Sequence, residues 1–158
     1  MPKNILIPID FCVTSLNTVK IALEENKDQP VRIVLLYAEF LNDSITDLLF
    51  YSPQKIIKSK QSPEFKEALE ILRNRYGLKP SDFIIELLHH NNSSQLNFIL
   101  QSNNITAVYI PSEYKLKTLK HAFNPIPLLQ SLNIYLHKAS WNLNTNSNEQ
   151  EQLTSLFN

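Results

Sequence analysis

Apolar residues fall into two rhythms along this chain. Near-continuous apolar runs alternate with stretches in which apolar positions recur every three or four residues. The first run, Asn4 to Ile9, ends at Asp10 and predicts a buried strand. After it Leu16, Val19, Ala22 and Leu23 share one helical face, and Thr14 or Ser15 is placed to cap that helix. Val31 to Ala38 is apolar at nearly every position. A strand of that kind has both faces covered, as in a central parallel sheet. The next helix has the most complete signature. Ser62 is set to cap, Pro63 takes the first helical position, and Phe65, Ala68, Leu69, Leu72 and Tyr76 form the stripe. Gly77 supplies a left-handed stop.

Further on, Phe83 to Leu88 predicts a third strand, and Ser93 or Ser94 opens a helix carrying Leu96, Ile99 and Leu100. Asn103-Asn104 can end that helix, because Asn tolerates the left-handed region. Ile105 to Ile110 is a fourth strand closed by Pro111. Leu116 to Phe123 is helix-like, and Asn133 to Leu136 is a short fifth strand. Such alternation predicts a doubly wound α/β sheet with helices on both faces. Two stretches stand apart. Residues 39–61 form a long connection in which Leu48–Phe50 and Ile56–Ile57 suggest extra helical turns. Beyond an α/β domain over 1–138, residues 139–158 are a polar tail. Its Leu153, Leu156 and Phe157 could make a terminal helix that docks on its own or a partner's surface, or frays.

Composition narrows the function. The chain has 158 residues, enough for one ordinary domain, and 15 basic residues balance 15 acidic ones. A neutral protein lacks the usual electrostatic attraction to nucleic acid or an anionic membrane. One cysteine forms no internal disulfide, which fits a reducing compartment. The apolar opening, broken by Pro8, is too short for a leader or a membrane span, so the expected location is the cytoplasm. Most telling is the single glycine. Phosphate-cradling loops need several residues without a Cβ, and with Gly77 alone no Walker, dinucleotide or kinase-type loop is expected.

The opening Asn4-Ile-Leu-Ile-Pro-Ile-Asp10-Phe-Cys-Val-Thr-Ser15, followed by an amphipathic helix, resembles the start of universal stress proteins. Ala107-Val-Tyr-Ile110 stands where that family has Ile-Val-Met-Gly, and Asn133-Ile-Tyr-Leu136 where its last strand falls. The resemblance spans roughly residues 3 to 138. It implies a five-stranded parallel sheet of the adenine nucleotide alpha hydrolase-like kind, and a homodimer often paired through the last strand. Members that bind ATP carry Gly-x-x-Gly, nine residues, then Gly-Ser or Gly-Thr after the fourth strand. Here Pro111 to Pro127 contains no glycine, and Pro125 and Pro127 remove backbone donors. The chain therefore resembles the branch without the ATP motif.

Ligands of open α/β sheets bind beyond the carboxyl ends of the strands, where strand order reverses. Asp10, Ser112 and Glu113 are the candidates there, with Lys115, Lys117 and Lys120 as side-chain cations replacing lost backbone donors. Against this, Asp10 can cap its own turn, and the lysines can be a solvated face. Lys55, Lys58 and Lys60 suggest a solubilising basic run. His89-His90 would point to opposite faces of a strand and not converge on a metal, and His137 gives no separate signal. Cys12 is expected to be a packed, inert thiol. No Gly-x-Ser-x-Gly elbow supports acyl transfer, and Leu88-His89-His90 leaves no phosphoacceptor for a receiver domain. The expectation is a non-enzymatic regulatory homodimer with an unidentified protein partner, no ATP, no cofactor and no metal. The alternative is a small-ligand or nucleotide sensor using the crevice at the carboxyl ends of strands 1 and 4.

Overall fold

The computed structural model describes residues 1–41, 49–143 and 148–157. Five parallel strands are present: β1 (Lys3–Pro8), β2 (Val31–Ala38), β3 (Phe83–Leu88), β4 (Ala107–Pro111) and β5 (Leu136–Ala139). Their spatial order is β3-β2-β1-β4-β5, so the chain winds outward in one direction, then returns to the middle and winds outward in the other. The reversal lies between β1 and β4.

Alternation along the strands divides the core into two layers. On one face Ile5, Ile7, Ile33 and Leu35 meet α1 (Leu16–Glu25) and α3 (Pro63–Arg75) through Val19, Leu23, Phe65 and Leu72. On the other, Leu6, Val34, Leu36 and Ile110 meet α4 (Ser93–Ser102) and α5 (Ile126–Ser131) through Leu96, Ile99 and Leu129. Both faces are thus covered, which is why β2 is apolar throughout.

Helix α3 follows its sequence signals closely. Ser62 Oγ accepts the Phe65 N–H at 3.1 Å. Gly77 at φ +67° then lets its own N–H reach the Asn74 carbonyl and the Leu78 N–H reach that of Arg73. Helix α4 is capped by Asn92, whose side chain accepts the Gln95 N–H, and it ends with Asn104 at φ +51°. The start of α1 differs from expectation. Ser15 accepts no capping bond and instead donates its hydroxyl to the Cys12 carbonyl at 2.7 Å. A short 3-10 turn over Val13–Ser15 leads directly into the helix, so a hydroxyl cap has no place there.

Two elements shift and one is lost. The fourth strand starts at Ala107 and not at Ile105, whose N–H instead bonds the Leu100 carbonyl behind α4. The fifth strand is Leu136–Ala139, later than the Asn133 to Leu136 run, because β4 pairs Val108 with Leu136 and Pro111 with Ala139. Residues 116–123 do not form the expected helix. Their backbone groups bond across the molecule instead, and Ala122 bridges antiparallel to Glu39.

Of the long connection, Ile56–Ile57 lies in α2 (Pro53–Lys60), capped by Ser52, whereas Leu48 is outside the described residues. The terminal helix α6 (Glu149–Leu156) docks on the chain's own body, capped by Asn148. Its Leu153 and Leu156 are buried in the same core layer as α1 and α3. Lys20 Nζ donates to the Leu156 carbonyl, and Arg75 lies 5.0 Å from the Phe157 ring. Among the described residues no helix is long and apolar enough to cross a membrane.

Candidate functional site

The crevice at the strand reversal begins with the turn after β1. Phe11 sits at φ +62°, a costly conformation for a residue with a Cβ. Its ring is buried against Tyr37 at 4.6 Å and Phe65 at 5.3 Å between centroids. Burying a phenyl ring is worth about 2–3 kcal/mol, which exceeds the ~1–2 kcal/mol backbone cost. The turn throws Asp10 to the carboxyl end of the sheet, and there its carboxylate is fully engaged by the chain itself. Asp10 Oδ1 accepts the Cys12 N–H at 2.9 Å. Asp10 Oδ2 accepts both the Tyr114 hydroxyl at 2.6 Å and the Lys117 N–H at 2.8 Å.

Those last two bonds tie the β4–β5 connection down over β1. The same connection continues across to β2, where Phe40 donates to the His121 carbonyl at 2.9 Å and Phe123 to that of Ala38 at 3.0 Å. Residues 114–123 therefore form a roof over the ends of β1 and β2. Trp141, after β5, lies against Tyr114 with ring centroids 5.7 Å apart. Burial and then the neighbouring Asp10 carboxylate push the Tyr114 hydroxyl far above its ordinary range, so it stays a proton donor.

The other sequence candidates do not gather around Asp10. Glu113 turns toward β5 and accepts the Ser140 hydroxyl at 2.7 Å. Ser112 donates its N–H to the Ala139 carbonyl. Lys115 and Lys120 are exposed, and Lys120 occupies the left-handed region at φ +54°. Lys117 contributes its backbone amide to the site. Of the basic run on α2, Lys60 is more than a solubilising charge. It pairs with Glu39 at 2.7 Å and sits 5.8 Å from the Tyr37 ring.

A second concavity, unanticipated from the sequence, lies at the carboxyl ends of β2 and β3. It is a cleft of about 280 Å³ lined by Phe40, Tyr51, Lys55, His89 and His121, among others. His89 forms its floor. The ring Nδ1–H donates to the Glu39 carbonyl at 2.9 Å, which leaves Nε2 to accept the Tyr51 hydroxyl. His90 is exposed, and the backbone N–H groups of both histidines converge on Gln95 Oε1 at 2.9 Å. His137 stacks on Tyr109 with centroids 4.6 Å apart. Among the described residues no three His, Cys, Asp or Glu side chains are grouped to hold a metal ion.

Solved structures share this arrangement. Universal stress protein UspA from Lactobacillus plantarum superposes with a TM-score of 0.54 at 9% identity, over 89% of this chain and 97% of that one. A universal stress protein from Archaeoglobus fulgidus gives 0.52 at 13% identity, over 87% and 93%. The fold is that of the universal stress proteins. No family model matches the chain, and no curated protein matches it. Within the universal stress protein fold, the reversal point is the usual ligand crevice of open α/β sheets, and here its acidic residue already bonds the roof.

Cys12 adjoins that turn. Burial first, and the Asp10 carboxylate second, raise its thiol from 9.0 to about 11. At about pH 8 a shift of this size lowers the thiolate fraction roughly a hundredfold. Iodoacetamide is therefore expected to alkylate Cys12 about a hundred times more slowly in the native protein than in urea. Mass spectrometry of timed samples checks this, and comparable rates in the two states would show a reactive cysteine.

Proposed function

We propose that this protein is a non-enzymatic regulatory domain of universal stress protein fold that acts as a homodimer, through contacts with a protein partner, and without binding ATP. The observation that carries the reading is the engagement of Asp10. Both its oxygens are spent on Cys12, Tyr114 and Lys117 of the same chain. To meet a nucleoside there, the chain would have to break two bonds to the roof and leave the partly buried Tyr114 hydroxyl without its acceptor. The absence of glycine from Pro111 to Pro127 supports the same conclusion, since main-chain amides could approach a triphosphate only with steric conflict at each Cβ.

Dimerisation is supported by the sheet edge. β5 is the last strand in the order, is four residues long, and contains neither Gly nor Pro. Tyr135 just before it is 77% exposed, so an aromatic ring borders an edge able to pair with a second copy. The expected results are no heat on titrating Mg-ATP into the protein at millimolar concentration, and a dimer in sedimentation equilibrium. Tight ATP binding or ATP hydrolysis overturns the first half. A monomer at high protein concentration overturns the second.

A further inference from the structure

We propose that the cleft at the carboxyl ends of β2 and β3 binds a small aromatic carboxylate, its ring between Phe40 and Tyr51 and its charge at Lys55 and His121. This reading goes beyond the partner-binding role above and is independent of it.

The walls suit a flat apolar body. Phe40 and Tyr51 are 46% and 38% exposed, and each is held from behind. Phe40 packs on Phe123 with centroids 4.4 Å apart, and Tyr51 meets the His89 ring edge-on at 5.3 Å. The floor is already satisfied, because His89 spends one ring nitrogen on the Glu39 carbonyl and the other on the Tyr51 hydroxyl. A ligand entering the cleft therefore meets preset aromatic surface and displaces no protein hydrogen bond.

Charge selects the sign of the ligand. Among the described residues the lining holds one carboxylate, Glu39, which Lys60 neutralises at 2.7 Å. Lys55 Nζ and the His121 ring have neither an ion pair nor a hydrogen bond among the described residues. Unpaired donors and cations beside aromatic walls attract an anion carried on a ring, whereas an organic cation is repelled. At about 280 Å³ the space fits one or two fused rings. The cleft also shares the sheet end at which open α/β proteins bind ligands, displaced from the roofed reversal point to its neighbour.

The test titrates 1-naphthoate into the whole protein, followed by amide NMR and by calorimetry. A dissociation constant at or below about 1 mM is expected for a ligand of this size. The shifted amides should be those of residues 39–41, 51, 52, 54–56 and 121. The neutral isostere 1-naphthamide should bind at least about fivefold more weakly, the worth of one partly exposed charged contact. Lys55→Gln should weaken naphthoate by about the same factor, and Lys58→Gln, outside the lining, should leave it unchanged. The proposal is overturned by absent shifts, by equal affinity for the acid and the amide, or by shifts centred on Asp10, Tyr114 and Lys117. Failure with naphthoate leaves the ATP-free dimer standing, and ATP binding at the reversal point leaves this cleft standing, so the two readings fall separately.

Discussion

Replacing Asp10 by alanine lowers the stability of the folded chain by about 3 kcal/mol, read as an earlier urea midpoint at unchanged slope. Three donors lose one acceptor group: the Cys12 amide, the Tyr114 hydroxyl and the Lys117 amide. Bonds to a charged acceptor are worth about 1.5–3 kcal/mol each, but they are not additive here. The Lys117 amide is close to solvent and recovers a water, whereas the Tyr114 hydroxyl is partly buried and does so poorly. Asp10→Asn keeps Oδ1 for Cys12 and offers an amide in place of Oδ2, so about half the loss is expected. The sign of the change is informative. A carboxylate kept for a ligand is commonly a liability to the empty protein, and its removal stabilises. A gain in stability from Asp10→Ala would overturn the self-engaged crevice and return Asp10 to a ligand role.

Leu156→Ala has a comparable effect through a different part of the molecule. Leu156 is fully buried at the end of α6, in the layer shared with α1 and α3. Truncation there costs about 3 kcal/mol, from lost transfer energy plus the cavity left behind. For a chain of this size that lowers Tm by about 6–12 °C. A ceiling applies, because a docked terminal helix can detach before the sheet unfolds, and the loss then cannot exceed the free energy of docking. Hydrogen exchange separates the two regimes. With the ceiling reached, amides of α6 exchange far faster while those of β1 and β2 keep their protection. A Tm within about 1 °C of the parent would show that α6 contributes nothing to the body.

Much of the fold was legible because its elements are locally over-determined. The span of β2 follows from an uninterrupted apolar run, and α3 from a cap, an N1 proline, a stripe and a left-handed glycine that all agree. The misplaced elements are those whose partners lie far away in sequence. The chain before and into β5 has a short apolar pattern around Ile134 and Leu136, and only pairing with β4 selects Leu136–Ala139. Residues 116–123 carry a plausible helical pattern, yet their amides find better acceptors in Asp10 and across the sheet end. Local propensity loses wherever tertiary hydrogen bonds compete for the same backbone.

The site shows the same division. Asp10 was identifiable as the residue closing the first strand, and the possibility that it caps its own turn is realised through Cys12. The hydroxyl of Tyr114 was not identifiable, since nothing in Glu113-Tyr114-Lys115 marks a ring that reaches back to β1. Nor was the β2–β3 cleft, whose residues come from four separate segments joined only by the fold. Phe11 in the left-handed region gave no sequence signal either. A glycine or asparagine would have announced such a turn, and here ring burial replaces the usual residue preference.

The roof has a kinetic consequence. Its bonds to Asp10 join residues 104 and 107 positions apart. Closing so long a segment is entropically expensive until the intervening strands are in place, so these contacts are expected to form after the rate-limiting barrier. Interactions absent from the transition state govern how fast a native chain comes apart and leave its rate of assembly nearly untouched. In a chevron plot Asp10→Ala should therefore move the unfolding arm alone. By that measure the carboxylate beneath the roof would be a kinetic clasp, setting the lifetime of the folded molecule.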